Sequence, residues 1–156
     1  MEMSRLDAAL GAAQRVLLDT TTLIAFHNPS ERVHLLAKHI MGRIEDDADP
    51  MTGYYSTMSA SELFIRPIRT STLAFTYMHT FLTGFPHLSL LPIDFQVAVQ
   101  AANIRAATNI RLPDAMIVAS GLLAGCEAII CNDKQWKARL EPLSPAFQWI
   151  YLGDYR

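Results

Sequence analysis

Five short apolar runs punctuate this chain, and between them apolar residues recur at helical spacing. That alternation constrains the fold more than any other feature of the sequence. The runs are Arg15-Val16-Leu17-Leu18, Tyr54 to Met58, Leu88 to Ile93, Ala128-Ile129-Ile130-Cys131 and Phe147 to Leu152. The first is rich in branched residues and apolar from Val16 onward, as expected of a strand buried on both faces. After it, a helical pattern runs through Leu23, Ile24 and Phe26 and is stopped by Asn28-Pro29-Ser30. Residues 31–45 place Val33, Leu36, Ile40 and Ile44 on one helical face. Ser59 and Glu62 are spaced as a capping box opening the next helix, which Pro67 ends or kinks. A further helix is expected over 70–84. Asp94 caps one running through Val97, Ala101 and Ile104, Leu112-Pro113-Asp114 starts another, and Asn132-Asp133 opens the last, 134–140. Residues 1–14 hold a short amphipathic helix or a loose arm. Strands alternating with helices predict an α/β sandwich around a parallel sheet with right-handed crossovers.

At 156 residues the chain fits one domain, 1–156, and a chain of this size buries roughly two-thirds of its unfolded surface. A hydrophobic fraction of 51% and a charged fraction of 18% describe an ordinary globular protein. A net charge of −2 argues against a protein that grips nucleic acid by bulk positive charge. It is compatible with a cluster of acidic metal ligands, because bound metals restore positive potential locally. Cys126 and Cys131 have no partner pair or His cluster of zinc-site spacing, so two free thiols are expected. No apolar run is long enough to span a bilayer and no secretory leader is visible, so the expected location is the cytoplasm. There is no Gly-rich phosphate loop.

In an open α/β sheet, ligands bind beyond the carboxyl ends of the strands. Asp19 directly follows the first strand. Glu62 lies in the first turn of the helix after the second. Asp133 directly follows the fourth, and Asp114 starts the helix leading into the fourth. All four acids are expected at one pocket. Left to themselves they would repel and raise one another's pKa values; a hard divalent cation, Mg²⁺ or Mn²⁺, removes that penalty and can activate a water. Each acid alone also has a plain reading, as a helix N-cap for Asp19, Asp114 and Asp133 and a capping-box partner for Glu62; the case rests on four converging. Around them, Thr20 can donate to a carboxylate or phosphate, or bond its own helix backbone. Asn132 can orient a water or merely turn the chain, and Ser59 can cap a helix or touch substrate. Arg66, Arg69, Arg111 and Lys134 are candidates for phosphate contact, against the plain reading of surface charge. The five histidines show no ligand spacing, and Phe75, Tyr77 and Phe81 read as packing residues of one helix.

The segments VLLDTTTLIAF, STMSASELFIRPIR and RLPDAMIVASGLLAGCEAIICND carry these four acids in an order and spacing that resembles PIN domains, and within them the VapC-like toxin ribonucleases of toxin–antitoxin pairs. The likeness covers roughly Val16 to Leu152. It implies a three-layer α/β/α sandwich with a five-stranded parallel sheet, a homodimer, Mg²⁺ or Mn²⁺ as cofactor, RNA as substrate, and inhibition by a cognate antitoxin. Asp19, Glu62, Asp114 and Asp133 would be the metal ligands and catalytic residues of an endoribonuclease. One departure is Cys131, at a position where the family often has Thr or Ser bonded to a ligand carboxylate or water; a thiol is a weaker donor. Two rivals stand beside this reading. One is a PIN-fold module that binds RNA or protein without catalysis. The other is a different Mg²⁺ enzyme such as a phosphatase, although DTTTL lacks the second Asp, two residues after the first, of aspartyl-phosphate hydrolases.

Overall fold

A computed structural model describes residues 1–156, the side chains of residues 144 and 145 excepted. Helix α1 (Glu2–Leu10) leads into β1 (Arg15–Leu18), followed by α2 (Thr20–His27), α3 (His34–Glu45), β2 (Thr52–Ser56), α4 (Thr57–Thr70), α5 (Thr72–Gly84) and β3 (Leu88–Leu91). Helices α6 (Phe95–Thr108) and α7 (Leu112–Leu123) precede β4 (Ala128–Cys131) and α8 (Lys134–Leu140); a 3₁₀ turn then leads to β5 (Gln148–Tyr151). The sheet is five-stranded and parallel throughout, in the order β3-β2-β1-β4-β5.

Alternation along the strands splits the interior into two layers. Val16 and Leu18 of β1 and Ala128 and Ile130 of β4 point into a core with Leu6 and Leu10 of α1, Leu36 and Ile40 of α3, Leu63 of α4 and Met78 and Leu82 of α5. Leu17, Ile129 and Cys131 point the other way, against Val97 and Ile104 of α6, Ile117 and Val118 of α7 and Trp136 of α8. Central strands sealed on both faces explain the unbroken apolar runs of β1 and β4. Helix α7 lies very close to β1: a Cβ on Gly121 would come within 2.6 Å of Leu17 Cδ2.

Chain order is the reverse of a simple march across the sheet. From β1 the chain moves outward to β2 and β3 with its helices in the first layer. It then crosses back through α6 and α7 in the second layer to place β4 on the other side of β1. The carboxyl ends of β1 and β4 therefore flank a topological switch point, the place where such sheets open a crevice.

Of the two readings of residues 1–14, the helix holds, with Leu6 and Leu10 buried. Two local expectations are corrected. Helix α4 opens three residues before Ser59, because Ser56, extended at the end of β2, caps it by accepting from the Met58 N–H; Ser59 and Glu62 form no capping box. Pro67 neither ends nor interrupts α4, which continues to Thr70, where the Ser71 N–H bonds the Pro67 carbonyl.

Candidate active site

Asp19 follows β1 and caps α2, its carboxylate accepting from the Thr21 N–H at 3.2 Å. The Thr21 hydroxyl donates to the same oxygen at 2.5 Å and in turn accepts from the Asn132 N–H at 2.8 Å, so one threonine ties the end of β1 to the end of β4. Thr22 adds a second tie, its hydroxyl donating to the Ile130 carbonyl at 2.9 Å. Asp19 is only 2% exposed. Burial pushes its pKa up to about 7, with the Thr21 and Thr20 donors opposing and the Asp114 charge adding to the rise. A carboxylate sunk this far from water, at the switch point, is costly to keep ionised without a nearby cation.

Glu62 stands in the second turn of α4, beside Thr20. The Thr20 hydroxyl lies 2.9 Å from Ser59 Oγ and 3.2 Å from Glu62 Oε1, and shares its proton between them. Burial raises the Glu62 pKa, Thr20 opposes, and Asp114 raises it while Arg111 lowers it. Asp114 is buried in the first turn of α7, where Arg111 holds it in a two-pronged fork: Nε to Oδ2 at 2.9 Å and Nη2 to Oδ1 at 3.3 Å. Arg111 itself is largely in solvent. Asp114 thus lies within the field of both Asp19 and Glu62.

Asp133 caps α8 through the Gln135 N–H at 2.9 Å and stands farther toward the rim; its charge is felt by Arg111 and by Cys131. The Cys131 thiol donates to the Asp133 carbonyl at 3.7 Å, and burial pushes its pKa far up, with the Asp19 charge adding to the rise, so it stays a neutral thiol. Of the basic candidates, Arg111 meets the acids directly. Arg66 lines a neighbouring groove, Lys134 lines a hollow beside Trp149, and Arg69 is exposed on α4. Asn132 is half-buried beside the acids.

The plain capping reading holds for two of the four acids. Asp19 and Asp133 do cap helices, whereas Asp114 takes Arg111 and Glu62 takes Thr20. The sequence reading passed over Thr21 and the pair Ser56 and Ser120, whose hydroxyls meet at 3.4 Å between β2 and α7. The signal for Thr21 was the run of three threonines straight after a capping Asp, since the second of them sits where its hydroxyl can reach back to the carboxylate.

The donor set is all oxygen, as a hard divalent cation requires. Among the described residues, no group of three or more His, Cys, Asp or Glu side chains is already drawn together closely enough to hold a metal ion. Each carboxylate is instead engaged by a protein donor: Thr21, Thr20, Arg111 or the Gln135 N–H.

Among curated proteins none matches the sequence. Solved structures are similar at the level of fold. A toxin–antitoxin complex from Klebsiella pneumoniae superposes with a TM-score of 0.64 at 18% identity, covering 88% of this chain and 97% of that one. Mycobacterium tuberculosis VapC20, described as a toxin cleaving the sarcin–ricin loop, gives 0.63 at 16% identity over 79% and 93%. DNA-bound VapBC from Salmonella typhimurium gives 0.62 at 19% identity over 89% and 98%. The family model for the PIN domain matches residues 16–139, a span that takes in all four acids. The chain belongs to the PIN domain family.

Proposed function

We propose that this protein is an endoribonuclease dependent on Mg²⁺ or Mn²⁺, acting in the cytoplasm as the toxin of a toxin–antitoxin pair. The observation that carries the reading is the Asp19 carboxylate, 2% exposed at the end of β1, with Asp114 close enough to raise the cost of ionising it further and to raise that of Glu62 as well. Sites that gather such a charge deficit are candidates for cation-assisted chemistry. Similarity to toxin–antitoxin proteins, one of them described as a toxin that cleaves the sarcin–ricin loop, supports the choice of RNA and of an antitoxin partner.

Asp19, Glu62, Asp114 and Asp133 would hold the cation, which when bound supplies a more acidic water and positive charge against the phosphodiester. The chain's own groups prepare the site. Thr21 fixes the Asp19 carboxylate and registers it against the end of β4. Thr20 fixes Glu62. Arg111 neutralises Asp114, and from its exposed position can also meet an RNA phosphate. A groove of about 700 Å³ between α2, α4 and α5 starts at Glu62 and Arg66 and runs along Ile24, Leu73 and Tyr77. Its apolar wall beside the acids is suited to an amphipathic antitoxin segment. A homodimer is part of the same proposal. Among the described residues, no helix is long and apolar enough to cross a membrane.

Cleavage of single-stranded RNA in Mg²⁺ or Mn²⁺, abolished by EDTA and by Asp19→Asn while the circular dichroism spectrum is retained, is the expected result. Undiminished cleavage in EDTA would end the proposal. One observation favours a second reading, a PIN-fold module that binds RNA or protein without cutting: Arg111 already covers both oxygens of Asp114. Calorimetric titration with Mn²⁺ separates the two, because the module would take up no metal.

A further inference from the structure

A second polar cavity, of about 420 Å³, opens on the same edge of the sheet beyond β4 and β5. One wall is the turn between α2 and α3, carrying Asn28 and Arg32; the other is formed by Asn132, Tyr151, Gly153 and Arg156. We infer that this cavity is a nucleotide subsite, which takes one phosphate and base of the RNA flanking the bond cut at the acidic site; the inference rests on the ribonuclease reading.

Four observations carry it. First, the cavity adjoins the acids: Asn132 lines it, and the Asn132 N–H is bonded to the Thr21 hydroxyl that holds Asp19. Second, it offers a phosphate a cationic fork. Arg32 lines it, and among the described residues Arg32 is in no ion pair. An unpaired guanidinium at a cavity wall is a fork waiting for phosphate oxygens. Third, amides stand ready for a base edge. Asn28 Oδ1 accepts from the Ser30 N–H at 3.1 Å, which turns its NH₂ group free, and the Asn132 side-chain amide has no hydrogen bond among the described residues. Fourth, the Tyr151 ring lies over Gly153 so closely that a Cβ there would sit 2.4 Å from the ring. Any other residue at 153 would push the ring out of place. An aromatic plane held beside a basic group is the platform on which an unpaired base stacks. The volume is within the range that accommodates a single small ligand.

The test is fluorescence anisotropy of a labelled single-stranded RNA of twelve nucleotides, in EDTA so that binding is read without cleavage, across a salt series. Arg32→Gln, an exposed position that the fold does not need, is expected to weaken binding about five- to tenfold and to flatten the salt dependence by about 0.7 in log–log slope, one phosphate contact on a single strand. Gly153→Ala is expected to weaken binding with a slope near that of the wild type, since it moves a stacking ring and no charge. Lys38→Gln, an equal loss of charge on the exposed side of α3, is expected to leave the affinity within twofold. Wild-type affinity and slope in Arg32→Gln would overturn the subsite, even if the protein proves to cut RNA. Conversely, weakened binding in Arg32→Gln by a protein that cuts no RNA in Mn²⁺ would sink the nuclease reading and the flanking role, and leave the cavity an RNA contact of a non-cutting module.

Discussion

At the scale of single residues, the acids show why local sequence signals understate a site. Asp19 and Asp133 look like helix caps and are helix caps, yet Asp19 also lies 2% exposed within the field of Asp114. The placement of Asp19 and Asp133 was legible because each directly follows an apolar strand and opens a helix. Their partners were not, because Thr21 to Asn132 and Thr20 to Glu62 are contacts between segments far apart in the chain. Arg111 was picked out as a phosphate candidate, but its fork on Asp114 depends on the first turn of α7, which spacing alone does not orient. The buried Asp19 has a thermodynamic signature. Its folded-state pKa of about 7 stands above its ordinary value of 3.8, so its contribution to stability is fully present below about pH 4 and is lost as pH rises through 7. The difference corresponds to at most about 4 kcal/mol. In EDTA, melting temperature is therefore expected to fall between pH 5 and 8.5 in the wild type and to fall less in Asp19→Asn, with the variant the more stable at high pH. Parallel melting curves for the two proteins across that range would contradict the burial argument.

At the scale of elements, strands and helices were read from periodicity with few misplacements, and the misplacements have a common cause. Ser59 and Glu62 satisfied the spacing of a capping box, but Ser56, three residues earlier, already had the extended backbone and free hydroxyl that a cap needs. A proline such as Pro67 ends or kinks a helix, but α4 carries on to Thr70, with Leu63 and Phe64 packing it against the first layer. Sequence alone cannot say which of two serines three residues apart ends a strand, nor how much packing stands against a proline. The close seating of α7 on β1 is an element-scale feature with a direct test. Gly121→Ala puts a methyl carbon 2.6 Å from Leu17 Cδ2, in the middle of a sealed core. A loss of about 1–3 kcal/mol on urea unfolding is expected. A neutral substitution would mean that α7 rides farther from the sheet than described.

At the scale of the whole molecule, the parallel five-stranded sheet followed from alternation of elements, whereas the strand order did not. Nothing in periodicity says that β4 returns beside β1, and that return is what puts Asp133 on the same edge as Asp19. The role of the first helix was also open in the sequence. Leu6 and Leu10 are fully sequestered against the core of the first layer, so α1 is part of the fold. Leu10→Ala is expected to cost about 2–5 kcal/mol, measured by chemical unfolding; a change below about 0.5 kcal/mol would show the helix to be dispensable. The two helical layers, finally, each send acids to one end of the sheet: Glu62 from α4 on one side, Asp114 from α7 on the other. A cation that bridged those two carboxylates, as proposed, would rivet the outer layers together across the sheet's rim. Occupancy of the site should therefore toughen the protein as a body, protecting amides on both faces from hydrogen exchange at once and not merely quieting a loop.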